Sequence, residues 1–319
     1  MNDSVLITDY AWPDLSIERA IIEAAGLRLI AGPPEPASAG SIEEMVRQHQ
    51  PASILACWAR VSADAVNANQ SLRHVGRIGV GLDNIDVASC TARGVPVTNV
   101  PDYCVEEVSD HALALTLAWA RGVVHFDREV HSGQWQPASA KLRRVSELTI
   151  GVVGYGQIGR ATVRKFRALG CQLLVHTAHP PYGSDQPRFV ELDELLAGSD
   201  VVILHLPLLP STLHIMDADR LARMKSGALL VNVSRGGLVH SEALAAALRS
   251  GHLSGAGLDV LETEPLVPSE LANQPNVLLT PHVAFSSTAS LAELRRRAAE
   301  ESVRVLAGQR PRHPCNNVS

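Results

Sequence analysis

Gly154-Tyr155-Gly156-Gln157-Ile158-Gly159 constrains this chain more than any other segment, because of what stands on either side of it. An apolar run over 148–153 precedes it, and a helical pattern over 158–169 follows. A strand that turns on glycines directly into a helix lets the backbone approach a pyrophosphate, and the helix start supplies N–H donors to it. Taken alone, G-x-G-x-x-G is a weak signal. In this strand–turn–helix setting it reads as a dinucleotide loop. Gly79-Val80-Gly81 lacks the third glycine and is not read as a second one.

The same alternation continues. Short apolar runs at 173–176, 201–206, 228–233, 255–259 and 277–280 are separated by helical stretches. Runs so little broken by polar residues suit parallel strands covered on both faces. A second, smaller series at 5–8, 27–30, 53–57, 77–80 and 97–100 repeats the rhythm. The expected fold is α/β: two Rossmann-like doubly wound parallel-sheet domains with an active-site cleft between them. Residues 1–100 and 287–319 would form a substrate-binding domain and 101–286 the dinucleotide-binding domain. One long helix is expected over 101–122, with Val105, Val108, Ala112, Leu115 and Trp119 on its apolar face and Gly122 as C-cap. Such a helix would set the hinge, and a final helix over 290–306 would return to the first domain.

Composition narrows the function. With 28 Lys plus Arg against 33 Asp plus Glu, a net charge of −5 offers no electrostatic case for nucleic acid. The basic runs Arg295-Arg296-Arg297 and 141–144 read as solvated faces. Met1-Asn2-Asp3-Ser4 carries no basic run, and no apolar stretch approaches the ~20 residues needed to span a bilayer. Five cysteines without CxxC spacing argue against a disulfide scaffold or zinc site and for a reducing cytoplasm.

Three residues stand where strands should end. Arg235 follows the run at 228–233, Glu264 closes the stretch from Gly257 to Pro265, and His282 follows Thr280-Pro281. Ligands of open α/β sheets bind outside the carboxyl ends of the strands. A carboxylate beside an imidazole fixes its tautomer, and the planar fork of an arginine suits a carboxylate. The set reads as a proton-transfer site that also grips an anion. Asp259 reads either as an acceptor for a nicotinamide carboxamide or as a turn cap. The acid expected about 20 residues beyond the glycine loop, to bind the ribose of NAD, is absent. Thr177 stands in its place beside His176 and His179, so NAD is favoured with NADP left open.

With these motifs the chain resembles the D-isomer-specific 2-hydroxyacid dehydrogenases over nearly its whole length. The resemblance is carried by the glycine loop, Asn232–Gly237, Leu258-Asp259-Val260 through Glu264-Pro265, and Thr280-Pro281-His282. Asn99-Val100-Pro101-Asp102-Tyr103-Cys104, Glu107-Val108-Ser109-Asp110-His111-Ala112 and the segment from Arg77 to Asn84 are similar to the bacterial relatives of the C-terminal-binding proteins. The resemblance implies Arg235, Glu264 and His282 as the catalytic set, and a substrate carboxylate bound by N–H groups around Val80 and Gly81 with Arg77 facing it. It implies cofactor contacts at Gly154, Gly156, Gln157, Ile158, Gly159, Thr177, Asp259, Val108, Leu206, Pro207, Thr212, Val233, Ser234, Arg235 and His282. It also implies a homodimer, through 123–144, where Trp135 would either anchor an interface or pack within its own chain.

Two departures bear on specificity. Arg60 follows Trp58-Ala59 in the expected substrate loop, and Phe285-Ser286-Ser287 follows the catalytic histidine where relatives carry Trp or Tyr. The expected activity is hydride transfer between NAD(P)H and C2 of a 2-oxo acid or D-2-hydroxy acid, with His282 as acid/base. The alternatives are a nucleotide-sensing interaction protein with vestigial chemistry, and a dehydrogenase of a phosphonate or phosphorylated acid that Arg60 and Arg77 would accommodate.

Overall fold

The computed structural model describes residues 3–180 and 187–318. Met1 and Asn2 of the amino-terminal segment lie outside the described residues. The chain divides into two compact units, Met1–Tyr103 with Ser287–Ser319, and Cys104–Ser286.

The first unit holds strands β1 (Ser4–Ile7), β2 (Arg28–Ala31), β3 (Ser53–Ala56), β4 (His74–Arg77) and β5 (Val97–Thr98), all parallel, in the order β2-β1-β3-β4-β5. Helices α1 (Ser16–Ala24), α2 (Ala39–His49), α3 (Ala63–Asn67) and α4 (Val87–Ala92) connect them. A strand was expected over 77–80. Instead β4 ends at Arg77, because Gly79 takes φ 153° and turns the chain out of the sheet. The core gathers Leu6, Ile42, Ile54, Val75 and Val97. Within it lies a polar network. His74 is fully buried, with Nδ1 2.8 Å from Ser53 Oγ and Nε2 2.9 Å from Thr98 Oγ1. Ser53 in turn lies 2.5 Å from Ser302. Burial drives the His74 pKa down to about 3, so the ring is neutral.

The second unit opens with α5 (Val105–Ala120) and α6 (Val123–His131). The helix expected over 101–122 is α5, which starts later, at Val105, and stops just before Gly122, whose φ of 60° turns the chain into the separate helix α6. Of the expected apolar face, Val108, Ala112 and Leu115 are buried. Then follow β6 (Thr149–Val153), α7 (Gln157–Ala168), β7 (Gln172–His176), β8 (Arg188–Phe189), α8 (Leu192–Gly198), β9 (Val201–Leu204), α9 (Ala218–Arg223), β10 (Ala228–Asn232), α10 (Ser241–Arg249), β11 (Leu253–Leu258), α11 (Ser269–Ala272) and β12 (Val277–Leu279). The sheet order is β12-β11-β10-β9-β6-β7-β8, every pair parallel. The chain starts in the middle of the sheet and winds outwards both ways, which is the doubly wound pattern. The two-residue edge strand β8 was not anticipated, since it is too short to leave a pattern. The last helix, α12 (Thr288–Leu306), packs on β3, β4 and α1 in the first unit. Among the described residues no helix is long and apolar enough to cross a membrane.

Candidate active site

Strands β10, β11 and β12 are neighbours, and each is followed by one member of the expected catalytic set. Buried Asn232 closes β10 by folding the turn over itself. Its Nδ2 donates to Arg235 O at 2.8 Å and its Oδ1 accepts from Ser234 N at 3.1 Å. Arg235 leaves this turn half-buried, with Nη1 donating to Ser234 O at 2.8 Å. Gly236 follows for a steric reason: a Cβ there would lie 1.9 Å from the Leu261 carbonyl. The turn after β10 thus lies flat against the turn after β11.

That second turn presents Glu264. Its Oε1 accepts from Leu261 N at 3.0 Å, and its Oε2 meets His282 Nδ1 at 2.8 Å. Burial raises the Glu264 carboxyl. The hydrogen bond and charge of His282, the Leu261 N–H and the Arg235 charge outweigh it and hold the group below its ordinary range. An ionised Glu264 at Nδ1 leaves Nε2 of His282 as the nitrogen that can exchange a proton with a substrate. His282 has φ 54°, rare for a side-chain-bearing residue, and its N–H is fixed to Asp259 O at 2.8 Å. Phe285 stands edge-on to its ring at 6.3 Å.

Asp259 is the support of this turn. Its buried carboxylate accepts from Thr280 Oγ1 at 2.6 Å, Val283 N at 2.9 Å and Ala284 N at 2.8 Å. Of its two expected roles, the structure displays the cap. His111 on α5 completes the chain, with Nε2 2.9 Å from Thr280 Oγ1. The cap was one of the two readings of Asp259, whereas His111 was given no role from the sequence.

The glycine loop fits a dinucleotide on steric grounds. A Cβ on Gly154, at φ 104°, would lie 2.2 Å from His205 O, and one on Gly159 2.2 Å from Gly154 O. Those two glycines close the turn. At Gly156 a Cβ would meet nothing within 4 Å, so its missing side chain leaves open space rather than tight packing. Helix α7 begins at Gln157 and Ile158 with no side-chain cap on its N–H groups, an arrangement suited to a pyrophosphate. Thr177 stands half-buried just beyond β7, its Oγ1 3.5 Å from His179 N. Leu206 and Pro207 follow β9, and Thr212 Oγ1 donates back to Pro207 O at 2.7 Å. Val233 and Ser234 lie in the β10 turn, with Ser234 Oγ bonded to Leu204 O at 2.7 Å. Val108 is buried in α5.

The expected substrate residues belong to the first unit. Arg77 is only 8% exposed, and its guanidinium donates to the carbonyls of Gly81 at 3.0 Å, Ala56 at 3.3 Å and Ile78. It also lies over the Trp58 ring at 5.8 Å. Expected to face the substrate, it braces the segment from Ile78 to Gly81 through these bonds. The N–H groups of Val80 and Gly81 meet no acceptor among the described residues. Arg60 is exposed and has no hydrogen-bond or ion-pair partner among them. Its loop is anchored by a residue not singled out from the sequence. Asp9, 0% exposed, accepts from Trp58 N at 2.7 Å, Ala59 N at 3.1 Å and Cys57 N at 3.3 Å.

Known proteins resemble this chain in sequence and fold. Residues 113–284 match the model of the D-isomer specific 2-hydroxyacid dehydrogenase NAD binding domain. The D-3-phosphoglycerate dehydrogenase of Mycobacterium leprae is 40% identical over 256 residues, covering 78% of this chain and 48% of the relative. This chain therefore spans about half the length of that relative. The glyoxylate reductase of Korarchaeum cryptofilum is 38% identical over 264 residues, 80% of each chain. A crystal structure of the NADPH-dependent glyoxylate/hydroxypyruvate reductase of Sinorhizobium meliloti, in complex with NADP and malonate, superposes with a TM-score of 0.86 at 29% identity, covering 98% of this chain and 97% of the other. With its NAD binding domain matched and four-fifths of its length shared with a relative at 38% identity, the chain belongs to the D-isomer-specific 2-hydroxyacid dehydrogenases.

Proposed function

We propose that the protein reduces a small 2-oxo acid to the D-2-hydroxy acid, or runs the reverse reaction, with NAD as the favoured cofactor and NADP tolerated. The observation that carries this is the 2.8 Å pairing of Glu264 with His282 beside Arg235 on three adjacent strand ends, in the unit that carries the glycine loop. When bound, the nicotinamide supplies the hydride chemistry. Gly154, Gly156, Gly159 and the start of α7 hold the pyrophosphate, with Thr177 at the ribose. Val108, Leu206, Pro207, Thr212, Val233 and Ser234 line the remaining cofactor surface, and Asp259 holds the turn that carries His282. In the reducing direction His282 gives the carbonyl oxygen a proton from Nε2 while Glu264 holds its orientation. Arg235 polarises that carbonyl and grips the carboxylate. The unpaired N–H groups of Val80 and Gly81 are suited to a carboxylate. Arg60, held out on its anchored loop, favours substrates with a second anionic group such as a phosphate or carboxylate.

The predicted location is the cytoplasm and the predicted assembly a homodimer through 123–144, supported by Trp135 at 80% exposure and by a helix α6 without a buried residue. Steady-state NADH and NADPH oxidation against 2-oxo acids with and without a second anion tests the reading. His282→Ala is expected to lower kcat by about 10²-fold or more. Arg235→Ala is expected to raise KM for the acid while the cofactor KM holds. Near-normal turnover of the first, or lost cofactor affinity in the second, would refute these roles.

A further inference from the structure

Three non-glycine residues among those described take a positive φ: Gln50 at 42°, His214 at 49° and His282 at 54°. Two of them are histidines, and both are paired to glutamates of the single segment Leu261-Glu262-Thr263-Glu264. The His282 pair belongs to the chemistry described above. The other does not, yet it is built with equal care. His214 Nε2 donates to Glu262 Oε1 at 2.6 Å, and Ser241 N, at the start of α10, donates to Glu262 Oε2 at 3.1 Å. His214 is itself fixed by its N–H, which donates to Gly237 O at 2.8 Å. Its ring stands 4.9 Å from that of His240, in the same turn as Gly237. A side-chain-bearing residue adopts such a backbone only where its surroundings determine it.

The turns after β9, β10 and β11 are therefore joined at Glu262, two residues before Glu264. Gly236 closes the same junction by lying against the Leu261 carbonyl. Burial raises the Glu262 carboxyl, but its bonds from Ser241 and the hydrogen bond and charge of His214 outweigh this and keep it below its ordinary range. We propose that Glu262 and His214 form a positioning pair for the catalytic site, fixing the segment that presents Glu264 to His282. The proposal rests on the roles of Glu264 and His282 given above. It separates two otherwise similar acids: Glu264 touches the acid/base, and Glu262 acts through it.

The test is a double-mutant cycle in the full chain. Glu262→Gln is expected to lower kcat about tenfold, the scale of a sub-ångström misplacement, with the cofactor KM unchanged. Because Glu262 works through Glu264, the double variant E262Q/E264Q should turn over no more slowly than E264Q alone. Effects that multiply would overturn the proposal, since a merely structural loss would add to any other. Should E262Q not fold, His214→Asn replaces it, because asparagine tolerates the same backbone. If the wild-type protein turned over no 2-oxo acid, the reductase reading would fail, and the pair is then read without activity. Diethyl pyrocarbonate labels neutral imidazole, and peptide mass spectrometry gives the rate at His282. The Glu264 carboxylate occupies Nδ1 of His282 and orients its ring. Weakening that hold frees the ring to the reagent, so E264Q should speed labelling, E262Q should speed it in the same direction, and the double variant should match E264Q. A His282 labelling rate unmoved by E262Q and H214N would overturn the proposal.

Discussion

Replacing Gly236 with alanine puts a methyl group where the backbone leaves no room. The new Cβ would lie 1.9 Å from the carbonyl carbon and oxygen of Leu261 and 2.4 Å from Glu262 N. These are main-chain atoms, so no side-chain rotation relieves the overlap. Reaching ordinary contact near 3.4 Å requires the two turns to separate by roughly 1.5 Å. Arg235 immediately precedes Gly236, and Glu264 lies three residues after Leu261, so the displacement falls on the acid/base set. Misplacement on the order of 1 Å costs about 10²-fold in rate, which is the kcat loss expected for Gly236→Ala. Overpacking strain of about 1–3 kcal/mol should accompany it as a fall in Tm of several degrees. Gly40→Ala, in α2 with nothing within 4 Å, is the control and should be neutral or stabilising. The assay is steady-state oxidation of NADH with a 2-oxo acid, at a temperature below both melting points. A Gly236→Ala protein whose kcat stays within about twofold of wild type would refute the packing argument.

Gly156→Ala should leave Tm unchanged, because its Cβ meets no protein atom, while cofactor Kd rises about tenfold or more, or ~1.4 kcal/mol, as the methyl group fills the pyrophosphate space. Unchanged cofactor binding by fluorescence titration would contradict that use of the loop. Asp259→Ala orphans two N–H groups and the Thr280 hydroxyl, and should cost about 3 kcal/mol or more together with most of the turnover. A variant with wild-type kcat would show that the His282 turn holds itself. His74 has a folded-state pKa of about 3 against an ordinary value of 6.5, so the unfolded chain takes up a proton that the folded one refuses. Its contribution is complete above pH 6.5 and is lost as pH falls towards 3, at about 1.4 kcal/mol per pH unit. Denaturant melts of the wild type and His74→Asn from pH 7 to 4 should show a shallower slope in the variant, and parallel slopes would contradict the assignment.

Much of this was legible because it is repetitive. Parallel strands buried on both faces announce themselves as apolar runs, and Arg235, Glu264 and His282 are polar groups at the ends of such runs. The glycine loop was readable from its setting, and the structure adds why each glycine is there. Other features were hidden for physical reasons. Asp9 and Asn232 act by accepting from or donating to backbone groups, which any sequence can offer. Arg77 was legible as a strand-end cation, but only coordinates reveal that its guanidinium is spent on three carbonyls. Edge strand β8 is two residues long, below the length at which a period of two can be seen. His214 and Glu262 are 48 residues apart and meet only because β9 and β11 flank β10.

The central claim is that His282, held by Glu264, gives a proton to a 2-oxo acid while a nicotinamide cofactor is oxidised. It is tested most directly by following NADH absorbance with glyoxylate, hydroxypyruvate and dianionic 2-oxo acids, and resolving the product on a chiral column. Wild-type protein should consume NADH and yield the D-2-hydroxy acid, and His282→Ala should lose about 10²-fold or more of that rate. No consumption across the panel, an L product, or an undiminished rate in His282→Ala would contradict it.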